Sequence, residues 1–164
     1  MAGTPSSVAD VVEGVTVAVP PEVAYRAVAE MRRMARWSPE CIGIWVLRRR
    51  PDGGPRSFVG FNRRGPFVWF TTCRVVTAEP GREFAFDVRT FGMPVSRWGY
   101  RFVPAGDGTR IEESWVDKRT RGASMLGRIF TGRVARMRPQ ANREGMKVTL
   151  ERLRAELESG GMAA

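Results

Sequence analysis

Residues 144–158 read EGMKVTLERLRAELE, and the architecture of the whole chain follows from them. Met146, Leu150, Leu153 and Leu157 recur three or four positions apart, which puts them on one side of an α-helix. Moving outward toward the N-terminus, Leu126, Phe130, Val134, Met137 and Ala141 keep the same stripe in phase. A helix over Ala123–Glu158 is therefore expected, kinked at Pro139, whose ring removes an amide donor and crowds the preceding turn. Arg128, Arg133, Arg136, Arg143, Glu144, Lys147, Glu151, Arg154 and Glu158 occupy the other side and must face water. So long a one-sided helix needs a broad apolar surface to lie on, and the preceding residues supply a sheet.

Upstream of this helix the period changes to two. Between Cys41 and Asp117, turn signals divide the chain into six strands: Cys41–Arg48, Ser57–Arg64, Phe67–Ala78, Arg82–Thr90, Pro94–Val103 and Thr109–Asp117. Connections this short make consecutive strands antiparallel neighbours. Val11–Val19 reads as one further strand. Pro20-Pro21-Glu22 ends it and opens a short helix over Pro21–Ala29, since proline is tolerated in a first turn. A second short helix, Met31–Trp37, stops at Ser38-Pro39. The expected fold is α+β: a seven-stranded antiparallel sheet in which Val11–Val19 returns to pair beside Thr109–Asp117, with the long helix across its concave face. Residues 1–9 and 159–164 are expected as tails around one domain spanning 10–158.

Composition narrows the chemistry. The 164 residues suffice for one domain with a core and a cavity. Histidine is absent, which removes the commonest metal ligand and the usual general base near neutral pH. Cys41 and Cys73 lack a CxxC spacing and sit in apolar strands, so they read as buried free thiols. Neither a metal nor a cofactor is expected. Met1–Ser7 lacks the apolar core of a signal peptide, and no run approaches the length of a membrane span, which points to a cytoplasmic protein without a transmembrane segment. The net charge of +10 comes from 27 basic and 17 acidic residues. The arginines are scattered through Arg32-Arg33, Arg48-Arg49-Arg50, Arg63-Arg64 and the final helix without a nucleic-acid motif. They read as a solvated basic surface, with no specific nucleic-acid partner.

The order of elements, together with residues 17–25 (VAVPPEVAY), Arg36-Trp37-Ser38-Pro39, Pro80-Gly81-Arg82, residues 96–102 (SRWGYRF) and Gly108-Thr109-Arg110, resembles the polyketide cyclase/dehydrase and lipid-transport branch of the START-like, or helix-grip, superfamily. The resemblance runs from about Val11 to Glu158. It implies a strongly curved sheet gripping the C-terminal helix, with an elongated apolar cavity between them. Its implied ligand is a hydrophobic, oxygenated small molecule such as a polyketide or a lipid.

Alternation selects the side chains that face such a cavity, because residues two apart in a strand share a face. Ser96, Trp98, Tyr100 and Phe102 form one inward set, and Phe84, Phe86 and Val88 another. Ile111 and Trp115 carry Glu113 inward with them. In Phe67–Ala78 both faces are apolar; the set of Trp69, Thr71, Cys73 and Val75 is preferred inside because it keeps Arg74 out. Phe58, Gly60 and Asn62 are chosen in Ser57–Arg64, and Met137, Ala141, Asn142 and Met146 on the helix. Trp37 reads equally as a lid over the entrance or as an ordinary anchor. Glu113 and Tyr100 are the candidate catalytic pair, with the acid's pKa raised by apolar surroundings.

Three functions fit these residues. In the first, the cavity binds the hydrophobic ligand and, in an enzymatic version, cyclises or dehydrates it through Glu113 and Tyr100. In the second, the same cavity serves a non-catalytic carrier. In the third, a basic surface including Arg48–Arg50, Arg63-Arg64 and Arg128–Arg138 docks to acidic partners or anionic membrane. A monomer or a homodimer is compatible with all three.

Overall fold

The computed structural model describes residues 9–119 and 138–160. Seven strands, β1 (Val11–Val17), β2 (Cys41–Arg49), β3 (Pro55–Arg64), β4 (Phe67–Glu79), β5 (Glu83–Thr90), β6 (Met93–Ala105) and β7 (Gly108–Asp117), form one antiparallel sheet in the order β1-β7-β6-β5-β4-β3-β2. The expected return of the first strand is present: Val11 pairs with Trp115, and Val17 with Thr109. β1 ends at Val17, two residues sooner than alternation suggested. Val19 is nevertheless buried, and its carbonyl accepts a 2.7 Å hydrogen bond from Thr109 Oγ1.

Helix α1 (Pro21–Ala29) turns Ala24, Tyr25, Ala27 and Val28 onto the sheet. The Tyr25 ring meets Phe84 and Phe102 edge-on at 6.2 and 5.7 Å between centroids, an arrangement aromatic pairs favour. The expected second helix is a 3-10 turn, Met31–Arg33, followed by one α-turn, α2 (Met34–Trp37). Helix α3 (Arg138–Gly160) runs two residues past the expected end. Its buried side carries Met146, Leu150, Leu153 and Leu157, the stripe read from the sequence, joined by Thr149, while Arg143, Glu144, Lys147, Glu151 and Arg154 face water. The stretch expected to begin this helix, Ala123–Met137, lies outside the described residues; Pro139 is the second residue of α3, and the turn before it, across which the expected kink would be seen, belongs to that stretch. No described helix is long and apolar enough to cross a membrane.

The two-sided strand β4 is resolved by burial. Trp69, Thr71, Cys73 and Val75 turn inward, and Val68, Phe70, Thr72 and Arg74 outward. A register shift between Val75 and Thr77 then re-aims the end of the strand and brings Ala78 against the core. Five hairpins place a left-handed residue in the turn. Four use glycine alone, at Gly53, Gly65, Gly81 and Gly106, whereas the β5–β6 turn places both Phe91 (φ 50°) and Gly92 (φ 78°) there.

Candidate functional site

Between the inner face of the sheet and α2 and α3 lies a cavity of about 210 Å³, well beyond a water-sized gap. β2 to β7 line it through Cys41, Ile44, Phe58, Asn62, Trp69, Thr71, Cys73, Phe86, Val88, Ser96, Trp98, Tyr100, Glu113 and Trp115, among others. Met31 and Met34 contribute from the short helical segment, and Arg138, Ala141, Asn142, Met146 and Thr149 from α3. Gly60 helps to keep it open: a Cβ there would sit 3.2 Å from Thr71 Oγ1.

Of the residues expected at the site, Asn62, Trp69, Thr71, Phe86, Ser96, Trp98, Tyr100, Glu113, Trp115, Asn142 and Met146 all line this cavity. Met137 lies outside the described residues. Two others do not line it. Phe84 is on the inner face as alternation required, but it sits beneath α1, where Tyr25 covers it completely. Trp37 is a buried anchor and not a lid: its indole Nε1 donates to Glu156 of α3 at 2.7 Å, and the Arg33 guanidinium, itself paired with Glu156, lies 5.5 Å from its ring centre. These contacts tie α2 to α3, so the ring is committed to packing.

Glu113 occupies the deep part of the cavity. It is 2% exposed and stands directly across from Tyr100 in the β6–β7 register. The Tyr100 hydroxyl donates to Glu113 Oε1 at 2.7 Å, while Oε2 is buried with no hydrogen-bond partner among the described residues. Loss of hydration outweighs the Tyr100 bond and pushes the carboxyl up to about 8. Burial and the adjacent carboxylate likewise hold the Tyr100 phenol well above its usual value. The pair is therefore protonated and uncharged at neutral pH. A protonated carboxyl is a hydrogen-bond donor, and its free oxygen has nothing among the described residues to donate to.

Several lining groups escaped the sequence reading. Cys41 and Cys73 face the cavity as thiols; burial pushes Cys73 up to about 12 and raises Cys41 as well, so they act as small apolar walls and not as nucleophiles. Arg119 and Arg138 line the end near Asn62 and Trp69, where Arg138 bonds Glu40 at 3.1 Å and lies 5.7 Å from the Trp69 ring centre. A second inner-face acid, Glu13 on β1, pairs in register with Glu113 and is bonded to Arg143 at 2.9 Å. Alternation with Val11, Val15 and Val17 carried the signal for Glu13. Nothing local signalled the arginines, which reach the cavity only because the ends of β7 and α3 meet there.

The family model for polyketide cyclase/dehydrase and lipid transport matches residues 8–158. No curated protein matches the sequence. Among solved structures, the chain is similar to the polyketide-cyclase-like protein Cgl2372 from Corynebacterium glutamicum, at 28% identity over 94% of both chains with a TM-score of 0.57. It is also similar in fold to the di-domain ARO/CYC StfQ of the steffimycin biosynthetic pathway, at 14% identity over 94% of this chain and a TM-score of 0.70. It spans only 51% of that di-domain chain. A START superfamily protein from Mycobacterium smegmatis shares 18% identity over 84% of this chain and 95% of its own, with a TM-score of 0.55. With a seven-stranded antiparallel sheet, a long C-terminal helix and a family match over nearly its whole length, the chain belongs to the polyketide cyclase/dehydrase and lipid-transport family.

Proposed function

We propose that this protein binds an apolar, oxygen-bearing small molecule of polyketide or lipid type in the cavity, with the protonated Glu113 donating a hydrogen bond to one of its oxygens. The observation that carries this reading is the Oε2 of a buried, uncharged carboxyl, which has no partner among the described residues. A buried polar atom without a partner costs roughly 1–3 kcal/mol, and a ligand carbonyl or hydroxyl removes that cost on binding. The aromatic and methionine walls contribute apolar contact, as in most small-molecule sites. Family membership supports the ligand class. Native mass spectrometry of protein purified from the cells that express it is expected to detect a co-purifying oxygenated small molecule. Affinity for that molecule should fall about 10-fold or more in Glu113→Leu and change little in Glu113→Gln, which keeps a donor. Absence of any bound species, or equal affinity for it in the Leu variant, would reject the reading.

The short Tyr100–Glu113 bond favours a second, enzymatic version. Here Glu113 passes its proton to a ligand carbonyl as the enol carbon of another β-diketone unit attacks it; the enol O–H proton returns to the Glu113 carboxylate, steadied by Tyr100, as that unit's carbonyl re-forms, and the new hydroxyl later departs with an adjacent C–H proton as water. Enclosure of a flexible chain supplies the proximity that such a ring closure needs. The same Glu113→Gln substitution separates the versions. It should lower turnover of a poly-β-ketone by about 100-fold if the group is a general acid, and leave a carrier's binding intact.

A further inference from the structure

The outer face of the sheet is unusually apolar where it approaches the Trp69 end of the cavity. In register, Phe61 of β3 lies beside Phe70 of β4, and one row away Trp45 of β2 lies beside Val59. All three aromatic rings point outward, with Trp45 at 64% exposure and Phe70 at 47%. The β3–β4 hairpin adds Phe67 at its tip, 74% exposed, and the β5–β6 hairpin adds Phe91, 81% exposed. These two hairpins project from the same end of the sheet, because each follows an odd-numbered strand and precedes an even-numbered one in an all-antiparallel order. Phe91 packs edge-on to Phe70 at 5.9 Å, so the patch is continuous from turn to sheet. Phe91 also occupies a left-handed turn position that strongly favours Asn, Asp or Gly, an expensive place for an exposed aromatic unless its ring has a use.

The charge around this patch is predominantly basic. Arg63, Arg74 and Arg89 share the outer face and are exposed. Arg63 Nε donates to the backbone carbonyl of Gly65 and not to an acid. The one acid on neighbouring outer positions, Asp87, is held by Arg97 and Lys118. A second copy of the chain is a poor occupant, since twofold pairing of this face would set its arginines against themselves. Pairing along the free edge of β2 is also opposed, by the register shifts at Cys41/Gly43, Val46/Arg48 and Arg48/Arg49. Exposed aromatic rings at hairpin tips, backed by arginines with no acidic partner among the described residues, match the boundary of an anionic bilayer, where rings enter the headgroup layer and cations meet lipid phosphate.

We infer that the outer face of β2–β4, together with the Phe67 and Phe91 hairpins, docks this protein onto an anionic lipid surface. The surface stands on its own residues. That docking delivers a membrane-dissolved ligand to the cavity end lined by Asn62, Trp69, Arg119 and Arg138 rests, in addition, on the ligand-binding reading above.

Cosedimentation of the full chain with vesicles tests this directly. Binding is expected to mixed phosphatidylglycerol/phosphatidylcholine vesicles, far above that to pure phosphatidylcholine, and to weaken as salt rises. The Phe67→Ser/Phe91→Ser double variant should lose about 10-fold or more of that binding with an unchanged circular-dichroism melt, because both rings are exposed. Arg63→Ser/Arg89→Ser should lose about 5-fold for each charge. Absence of binding to the anionic vesicles, or binding that the Phe variant leaves intact, would overturn the proposal. So would a concentration-dependent dimer that the Phe variant dissociates, since the face would then belong to a second copy. A soluble apolar fluorophore serves as the control: its binding in the cavity should be equal in wild type and the Phe variant. Failure of vesicle binding with fluorophore binding retained removes the docking surface alone.

Discussion

Replacing Glu113 with glutamine should make the protein more stable, by an amount that depends on pH. In the unfolded chain this carboxyl ionises from its usual 4.5 upward, whereas in the folded protein it stays protonated until about 8. Between those values the native state holds one proton more than the unfolded state, so stability falls as pH rises through the window and levels off above it. At about 1.36 kcal/mol per pH unit, the interval from 4.5 to about 8 caps the loss at roughly 5 kcal/mol, of which about 3 kcal/mol is already lost at pH 7. Glutamine keeps the oxygen that accepts from Tyr100 and cannot ionise in either state. Its amide leaves an unpartnered buried donor where Oε2 was, a penalty of about 1 kcal/mol or more at every pH. The variant should therefore gain about 2 kcal/mol over wild type near pH 7, more near pH 8, and fall level with it or slightly below near pH 4.5. Urea unfolding of both proteins, followed by tryptophan fluorescence across this pH range, measures the difference directly, because every other titrating group cancels. A difference that stays flat from acid to alkaline pH would mean that the folded-state carboxyl ionises normally, and the argument for an uncharged donor in the cavity would fail with it.

Three further substitutions probe the arrangement. Phe84→Ala should cost about 3–5 kcal/mol in denaturant unfolding while leaving cavity binding of an apolar fluorophore unchanged, since the ring is wholly buried under α1 and outside the cavity lining. Loss of fluorophore affinity at unchanged stability would return Phe84 to the site. Gly60→Val should reduce fluorophore binding by filling the space beside Thr71, with only a small change in stability on an interior strand position of this kind; undiminished binding would show that the ligand does not use that wall. Glu156→Ala should lower stability by roughly 2 kcal/mol, because it strands the buried indole N–H of Trp37 and unties α2 from α3. A loss no larger than that of an ordinary surface change would count against the anchor role.

The sequence by itself determined the elements and most of the faces. Strict alternation in residues 96–102 and 109–117 sets Tyr100, Glu113 and Trp115 on the inner face because period two leaves no other choice. The helical stripe through Met146 to Leu157 fixes which side of α3 meets the sheet for the same reason at period 3.6. In β4, where both faces are apolar, periodicity was silent about burial and Arg74 alone favoured the Trp69 face; the tertiary structure decides it, with Cys73 in register between Phe58 and Val88 and Phe70 beside the exposed Phe61. Trp37 and Phe84 show the same limit from the other side. Their local pattern marks them as apolar and inward, but whether such a ring meets a void or another side chain depends on where α1 and α3 come to rest, and those are contacts across more than fifty residues of chain. Position and charge at the site divide in the same way. Alternation alone sends Glu113 inward, yet its protonation depends on tertiary structure: the distance to every cation and the removal of water around its second oxygen are set only when the sheet and α3 close over it.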